Sequence, residues 1–213
     1  MHIAGILIAG GRSRRMGADK SLLDFGGIPA IARVAAALGE VAEPITIACG
    51  PEEREGYRFL GLPQAVDRFP GCGPLAGLHA GMTALDAEWY LTAPCDLPFA
   101  SAAFMRYIVD TLKRDEKRVD ADSAGEGSGP LVVVPVSQSG KAQPLLGLYH
   151  KDVLPGLENA LLHGRLKVME WLESMEVLYV PEAGFTGALD GGPSPLLNIN
   201  TPEDYRAAAE WRV

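Results

Sequence analysis

Short runs of apolar residues alternate along the first half of the chain with longer segments of mixed apolar and polar residues. Residues 3–9 are continuously small or apolar and stop at Gly10, as expected of a strand buried on both faces. Further short strands are predicted at 44–48 and 89–93, and helices at 29–38, 74–85 and 102–112. Strands that alternate with helices indicate βαβ units, so the sequence predicts an α/β fold with a mostly parallel central sheet flanked by helices.

The second half of the chain repeats these elements in a less regular order. Residues 113–129 are polar and charged and end in a glycine-rich stretch, which predicts an exposed excursion. Strands are expected at 131–136, 145–149 and 177–180, and helices at 154–162, 168–172 and from 202 onward, the last with Thr201 as its N-cap. Because no internal repeat and no strong boundary interrupts the pattern, a single domain over 1–213 is expected.

Composition narrows the classes of partner. The chain has 213 residues, a formal net charge of −8 and a pI of about 5.0. A net acidic protein repels phosphate over long distances, which argues against nucleic acid and anionic membranes as partners. No apolar run approaches the roughly 18 residues that span a bilayer, and the opening residues do not follow a signal-peptide pattern. The odd set of Cys49, Cys72 and Cys95 contains no CxxC pair, which favours small buried thiols in a reducing cytoplasm.

The residues that follow the first strand, 10–20, combine paired glycines with clustered positive charge, and we call them the glycine–arginine segment. Gly10 and Gly11 lack Cβ atoms, so their N–H groups can approach an anion closely. Positive charge is concentrated in Arg12, Arg14, Arg15 and Lys20, opposed by Asp19. The segment matches neither GxxxxGK[ST] nor GxGxxG. This cluster at the end of a buried strand predicts a polyphosphate site, with a solvated basic turn as the alternative.

Acidic and amide side chains occur at other predicted strand ends and helix starts. Asp96 follows the strand at 89–93, so its carboxylate could hold Mg²⁺ beside substrate phosphates, unless it serves only to form a turn. Asp67 lies between a strand end and a helix start and could accept a hydrogen bond from a ribose or base, or act as a cap. Asn198 and Asn200 precede the last helix, and either could offer an oxygen to a metal or simply cap the helix.

Four motifs occur in a fixed order along the chain. They are Ile8-Ala9-Gly10-Gly11-Arg12-Ser13-Arg14-Arg15-Met16-Gly17 with Asp19-Lys20, Gly73-Pro74-Leu75-Ala76-Gly77, Pro94-Cys95-Asp96-Leu97-Pro98, and Asn198-Ile199-Asn200-Thr201-Pro202-Glu203. With them, nearly the whole chain resembles the molybdenum cofactor guanylyltransferases. The resemblance implies a Rossmann-like nucleotidyltransferase fold and transfer of GMP from GTP to molybdenum-loaded molybdopterin. It also implies Mg²⁺ as cofactor and GTP and molybdopterin as small-molecule partners.

The resemblance also assigns roles to residues. It implies that Ile8, Ala9 and Gly10 contact the nucleotide through their backbone, with Gly11 beside them, and that Lys20 binds its phosphates. It further implies that Asp67 contacts the nucleoside and that Asp96 contacts both the nucleotide and Mg²⁺. The nucleotide-binding half would cover about 1–112, and about 130–213 would form the pterin half, where Gln143-Pro144-Leu145 and Gly164-Arg165 resemble family positions. Ala48-Cys49-Gly50 departs from relatives that carry a nucleotide-contacting Asn there.

The expected reaction is attack of the terminal phosphate of molybdopterin on the α-phosphorus of GTP, with release of pyrophosphate. Lys20, with Arg12 or Arg15, would stabilise charge on the leaving group, and Asp96 with Asn200 is the expected metal site. A transferase that uses CTP or another phosphorylated acceptor is one alternative, and a non-catalytic nucleotide-binding assembly protein is another. Transient contacts with molybdenum-insertion proteins or acceptor molybdoenzymes are expected partners of a cytoplasmic enzyme of this kind.

Overall fold

The computed structural model describes residues 1–11, 19–122, 129–185 and 192–211. Within these ranges seven strands form one sheet in the order β3-β2-β1-β4-β6-β5-β7, and β6 runs antiparallel to both of its neighbours. The strands are β1 (Ile3–Ile8), β2 (Ile45–Gly50), β3 (Gln64–Val66), β4 (Trp89–Pro94), β5 (Val132–Val136), β6 (Gly147–His150) and β7 (Val177–Pro181). The helices are α1 (Ala30–Gly39), α2 (Pro74–Ala84), α3 (Ala102–Asp122), α4 (Leu154–Leu162), α5 (Val168–Leu172) and α6 (Pro202–Ala209). The predicted mostly parallel α/β sheet is therefore confirmed.

The first strand lies in the middle of the parallel part of the sheet. It pairs with β2 on one side and β4 on the other, and Ile8 is in register with both Ala48 and Pro94. The chain crosses from β1 to β2 on one side and later returns to β4 on the other, which makes the carboxyl end of β1 a switch point. The residues that follow these three strands consequently meet at one edge of the sheet.

Helices cover both faces of the sheet, which is why its strands are apolar on both sides. On one face Leu7 packs in a core with Val34 of α1 and Phe104 of α3. On the other face Ile6 packs with Leu78 of α2 and Leu157 of α4. The neighbouring residues Ile6 and Leu7 are thus buried in opposite cores, so β1 is fixed from both sides. None of the described helices is long and apolar enough to cross a membrane.

The expectation for 113–129 was wrong over its first part, because α3 continues to Asp122. Lys and Arg favour helix, and Lys113 at the start of this stretch is exposed and pairs with Asp110 of the same helix at 3.5 Å. Polarity alone therefore did not distinguish a solvated helix face from a loop, and residues 123–128 lie outside the described ranges. The N-cap prediction is confirmed: Thr201 Oγ1 accepts from Asp204 N at 3.1 Å, and Asp204 Oδ2 accepts from Thr201 N at 2.9 Å.

Candidate active site

A cavity of about 620 Å³ opens at the carboxyl edge of β1, β2 and β4. The predicted nucleotide-binding residues all line it: Ile8, Ala9, Gly10, Gly11, Lys20, Asp67 and Asp96. Its walls also include Gly73 and Pro74 at the start of α2, and the positive end of a helix dipole favours an anion. Arg12 and Arg15, which were expected to assist catalysis, lie outside the described residues, as does Arg14. The described site residues therefore converge on one space large enough for a nucleotide.

Two glycines bring backbones into direct contact beside this cavity. A Cβ on Gly10 would lie 3.0 Å from both N and Cα of Gly50, and Gly50 itself has a φ of +94°. Ala9 N, one residue earlier, donates to Ala48 O at 2.9 Å. Gly50 follows directly after Ala48 and Cys49 at the end of β2, and as a glycine it can offer a ligand only its backbone. At Gly11, in contrast, a Cβ would meet none of the described atoms within 4 Å, so the space beside this residue is open.

Lys20, Asp96 and Asn200 form the polar centre of the cavity edge. Lys20 Nζ donates to Asp96 Oδ2 at 2.7 Å and to Asn200 Oδ1 at 3.3 Å, although α6 and β4 are far apart in sequence. The backbone fixes Asp96 from two sides, because Cys95 N donates to Ile8 O at 3.0 Å and Ile199 N donates to Asp96 O at 2.9 Å. Lysine thus approaches a carboxylate and an amide oxygen at the same time. Asn200, and not Asn198, is the asparagine at this position.

The same two oxygens fit a divalent cation by their chemistry. Asp96 and Asn200 present oxygen ligands that already surround one positive charge, the ammonium of Lys20. Mg²⁺ characteristically takes one or two protein oxygens and completes its shell with water and substrate phosphates. Among the described residues no group of three or more His, Cys, Asp or Glu side chains could hold a metal alone. A cation held by Asp96 and Asn200 would complete its shell with water and substrate phosphates.

Asp67 is placed as an unpaired acceptor at the opposite side of the cavity. Its Oδ1 atom is buried and has no hydrogen-bond partner among the described groups, while its backbone N donates to Gly50 O at 2.8 Å. Burial raises the pKa of Asp67 above its ordinary value. A buried acceptor without a donor is costly, so the side chain of Asp67 carries an unsatisfied oxygen beside the cavity.

The residues expected on the pterin side divide between the cavity and the outer surface. Leu145 lines the cavity, and Gln143 accepts a hydrogen bond from Asn198 Nδ2 at 3.5 Å. Arg165, in contrast, is exposed and donates to Asn159 Oδ1 on α4. Its neighbour Gly164 adopts a φ of +67° at the end of that helix. The structure thus associates Leu145, and not Arg165, with the cavity wall.

The three thiols are free and play no part in the polar site. Cys49 and Cys95 are buried and Cys72 is half-buried. Burial raises the pKa of Cys95 to about 12, so its thiol stays protonated although it precedes Asp96.

Two residues that the sequence did not single out, Arg54 and Tyr57, also lie beside the cavity. Their side chains contact the glycine–arginine segment at Asp19. A charged stretch such as 52–55 is typical of a solvated surface, so no local signal marks these residues. Only their contacts with a distant segment reveal that they adjoin the site.

Solved structures share this fold over nearly the whole chain. A molybdopterin-guanine dinucleotide biosynthesis protein A from Archaeoglobus fulgidus superimposes with a TM-score of 0.74 at 23% identity, covering 97% of each chain. A Mycobacterium tuberculosis protein solved as a complex with manganese superimposes with a TM-score of 0.67 at 20% identity, covering 99% of each chain. At such identities the likeness establishes the Rossmann-like nucleotidyltransferase fold.

Sequence relatives are closer. The model of the MobA-like NTP transferase domain family matches residues 5–177. A "Probable molybdenum cofactor guanylyltransferase" of Carboxydothermus hydrogenoformans is 32% identical over 200 residues, covering 93% of this chain and 91% of that protein. One of the same name from Bacillus subtilis is 31% identical over 213 residues, covering 99% of this chain and 96% of that protein. By full-length identity above 30%, by family model and by fold, this chain belongs to the molybdenum cofactor guanylyltransferase family.

Proposed function

We propose that the chain transfers GMP from GTP to molybdenum-loaded molybdopterin, forming the molybdopterin guanine dinucleotide and releasing pyrophosphate. The observation that carries this proposal is the convergence of Lys20, Asp96 and Asn200 at the edge of the cavity formed by Gly10 and Gly11. Membership of the family indicates GTP as the nucleotide and molybdopterin as the acceptor. The cavity has charged groups where a triphosphate would lie. We further propose that the reaction depends on Mg²⁺.

The chemistry requires positioning and charge neutralisation more than a protein nucleophile. The attacking group is a phosphate and is already anionic, so no Ser, Cys or His side chain has to be activated. Backbone N–H groups near Gly10 and Gly11 and at the start of α2 would hold the phosphates in line with the acceptor. Asp96 and Asn200 would hold Mg²⁺, which when bound neutralises phosphate charge and draws the phosphate oxygens into one geometry.

Lys20 carries the positive charge of the described site. Its side chain is held between Asp96 and Asn200 and borders the cavity, so its ammonium can turn from the carboxylate toward a phosphate without moving its backbone. Lysine binds phosphate as a point charge on a flexible stem, which suits this movement. We propose that Arg12 and Arg15 add further positive charge on the pyrophosphate that leaves.

Asp67 is proposed as the nucleoside contact and favours guanine. A carboxylate only accepts hydrogen bonds. The pairing edge of guanine carries two adjacent N–H donors, whereas the pairing edges of cytosine and adenine each carry a single amino donor beside a ring-nitrogen acceptor. The unpaired Oδ1 of Asp67 would gain a partner in GTP. Backbone at Gly50 would replace the side-chain contact that an Asn makes in relatives.

We propose that the second half of the chain receives the acceptor. Leu145 reaches the cavity from the segment before β6, and Gln143 and Asn198 are hydrogen-bonded beside it. A single domain would then hold both substrates, with nucleotide in about 1–112 and pterin in about 130–213. Contacts with molybdenum-insertion proteins or acceptor molybdoenzymes in the cytoplasm would deliver and collect the pterin, and no nucleic acid or membrane takes part.

The test is to incubate the protein with Mg²⁺, molybdenum-loaded molybdopterin and GTP, CTP or ATP in parallel, and to identify the product by mass. In the mixture that contains GTP we expect a guanine dinucleotide and an equimolar amount of pyrophosphate. The mixtures that contain CTP or ATP should give neither product. A cytosine dinucleotide would establish a cytidylyltransferase instead. Binding of GTP without pyrophosphate release in the complete mixture would establish a non-catalytic nucleotide-binding protein. Omitting Mg²⁺ and adding a chelator tests the metal requirement separately.

A further inference from the structure

A polar cluster of the buried Ser21 and Tyr57 with the half-buried Asp19 and Arg54 adjoins the cavity, and we call it the Asp19 cluster. Asp19 Oδ1 accepts from Ser21 N at 3.0 Å and from Ser21 Oγ at 2.6 Å. Asp19 Oδ2 accepts from Arg54 Nη1 and from Tyr57 Oη, each at 3.0 Å. Both carboxylate oxygens therefore have donors within the protein, while Asp19 itself also lines the cavity.

The protonation states in the Asp19 cluster suit these contacts. Burial alone would raise the pKa of Asp19, but hydrogen bonds from Ser21 and Tyr57 and the charge of Arg54 bring it below its ordinary value. Burial raises the pKa of the Tyr57 hydroxyl, which therefore stays protonated and can donate. The Arg54 guanidinium lies 5.4 Å from the centre of the Tyr57 ring. At neutral pH the cluster is an ion pair strengthened by a neutral phenol.

The Asp19 cluster holds the chain on both sides of Lys20. Asp19 precedes this lysine and Ser21 follows it, and both direct their side chains into the cluster, whereas the Lys20 side chain reaches Asp96 in the cavity. Asp19 also caps the 3₁₀ turn Lys20–Leu22. The backbone of the lysine is thus held at both neighbouring positions by groups from 35 or more residues away.

The side chains of Arg54 and Tyr57 also reach the end of β1. Tyr57 Oη lies 3.3 Å from Ala9 O, and Arg54 Nη2 donates to Gly11 O at 3.4 Å. The segment Glu55–Leu60, which contains Tyr57, therefore connects the glycine end of the cavity with its lysine. The contacts of Arg54 and Tyr57 thus join the backbone at the end of β1 to the segment that carries Lys20.

We propose that Tyr57 and Arg54 are positioning residues that hold Lys20 for the nucleotide phosphates. This inference rests on the proposed function and adds two residues to its machinery. A lysine whose backbone is held before binding loses less conformational freedom when the triphosphate arrives, so part of the binding free energy is spared. Neither Tyr57 nor Arg54 needs to touch the nucleotide for this effect.

The test is a double-mutant cycle on equilibrium binding of GTP in the presence of Mg²⁺, measured by calorimetry. We expect Tyr57→Phe to weaken GTP binding about tenfold, as for the conformational entropy of about one backbone residue that must then be ordered on binding. In a Lys20→Met background the same change should weaken binding less than about twofold, since the residue through which it acts is gone. Tyr90→Phe is the matched control: Tyr90 is also buried, and its Oη donates to Leu85 O at 3.0 Å, near the amino end of β4.

Several outcomes decide the question. Unchanged GTP binding by Tyr57→Phe overturns the inference, and so does an equal fold loss in both backgrounds. A comparable loss in Tyr90→Phe would show a general stability effect and overturn it too. If Tyr57→Phe does not fold, Arg54→Lys, which keeps the charge but shortens the reach to Gly11 O, takes its place in the cycle with an expected loss of about threefold. A wild-type protein that binds no GTP overturns the proposed function and this inference together, whereas a wild type that binds GTP and releases pyrophosphate isolates the role of Tyr57.

Discussion

Lys20 Nζ lies 2.7 Å from Asp96 Oδ2, so two residues 76 positions apart neutralise each other at the edge of the cavity. Their side chains are 21% and 22% exposed, and a partly solvated ion pair of this kind contributes on the order of 1 kcal/mol. A pair this weak can open when a better partner arrives for each charge. A nucleotide triphosphate with its cation offers both partners at once, one for the lysine and one for the carboxylate.

Substitution of Lys20 by Met should make Asp96 more accessible to a cation when no nucleotide is present. The ammonium competes for the same carboxylate and amide oxygens, so its removal is expected to tighten Mn²⁺ binding about fivefold, equivalent to the pair's own free energy of ~1 kcal/mol. Electron paramagnetic resonance of free Mn²⁺ measures this directly. Lys167→Met, which removes a fully exposed lysine that pairs with Glu170, serves as the control and should leave Mn²⁺ binding unchanged. Equal or weaker binding by Lys20→Met would contradict the competition.

Substitution of Asp96 by Asn should abolish most of the turnover while the protein stays folded. The change keeps the shape of the side chain but removes the negative charge that holds both the cation and Lys20. A loss of about 10²-fold or more in the rate of pyrophosphate release is expected, as for other electrostatic groups at a reacting phosphate. Asp86→Asn, at an exposed position just after α2, is the matched control. A variant with normal turnover and a normal melting temperature would exclude Asp96 from the metal site.

Substitution of Asp67 by Asn should stabilise the free protein and weaken GTP binding. The folded-state pKa of Asp67 is raised, so the stability that its protonated form contributes is complete below the unfolded value and is lost as the pH rises through the folded value. At pH 7 the wild type therefore carries the cost of a buried, unpaired carboxylate oxygen. We expect the variant to gain up to about 1 kcal/mol at pH 7 and less near pH 4.

Urea denaturation at pH 7, 5 and 4 checks this trend for Asp67→Asn. A gain that stays constant over this range would mean that Asp67 does not titrate with folding. A loss of stability at pH 7 would mean that its Oδ1 has a partner in the free protein. Weaker GTP binding by a more stable variant would separate the role in recognition from the role in folding.

Substitution of Gly10 by Ala should destabilise the fold, whereas the same change at Gly11 should not. A Cβ at position 10 would lie 3.0 Å from the backbone of Gly50, so β1 or β2 must shift, at a cost of about 1–3 kcal/mol. A Cβ at position 11 meets open space among the described residues. Thermal unfolding of the two variants side by side measures the difference. Equal melting temperatures would contradict the close approach of the two backbones.

The sequence by itself determined the architecture and indicated which motifs border the cavity. Continuous apolar runs such as 3–9 indicated strands buried on both faces. Such a run is a local property of the sequence, so it can be recognised without the tertiary structure. The carboxyl ends of parallel strands share one edge of a sheet, so motifs that follow different strands are expected to meet there. That rule suffices to predict that Gly10 and Asp96 border the same cavity. The N-cap at Thr201 was predictable because it depends only on residues that are neighbours in the sequence.

Only the tertiary structure decided which of these groups touch. Lys20 donates to Asp96 and to Asn200, not to Asn198, and Tyr57 donates to Asp19. None of these choices follows from local periodicity, because each depends on how loops of different length fold back over the sheet edge.

The polar run after 112 shows the converse. Its charges favoured a loop, but α3 continues over its first part, to Asp122. The exposed Lys113 pairs with Asp110, one helical turn away. Local patterns specify which surfaces must be buried, and packing between distant elements specifies which polar side chains are left facing one another.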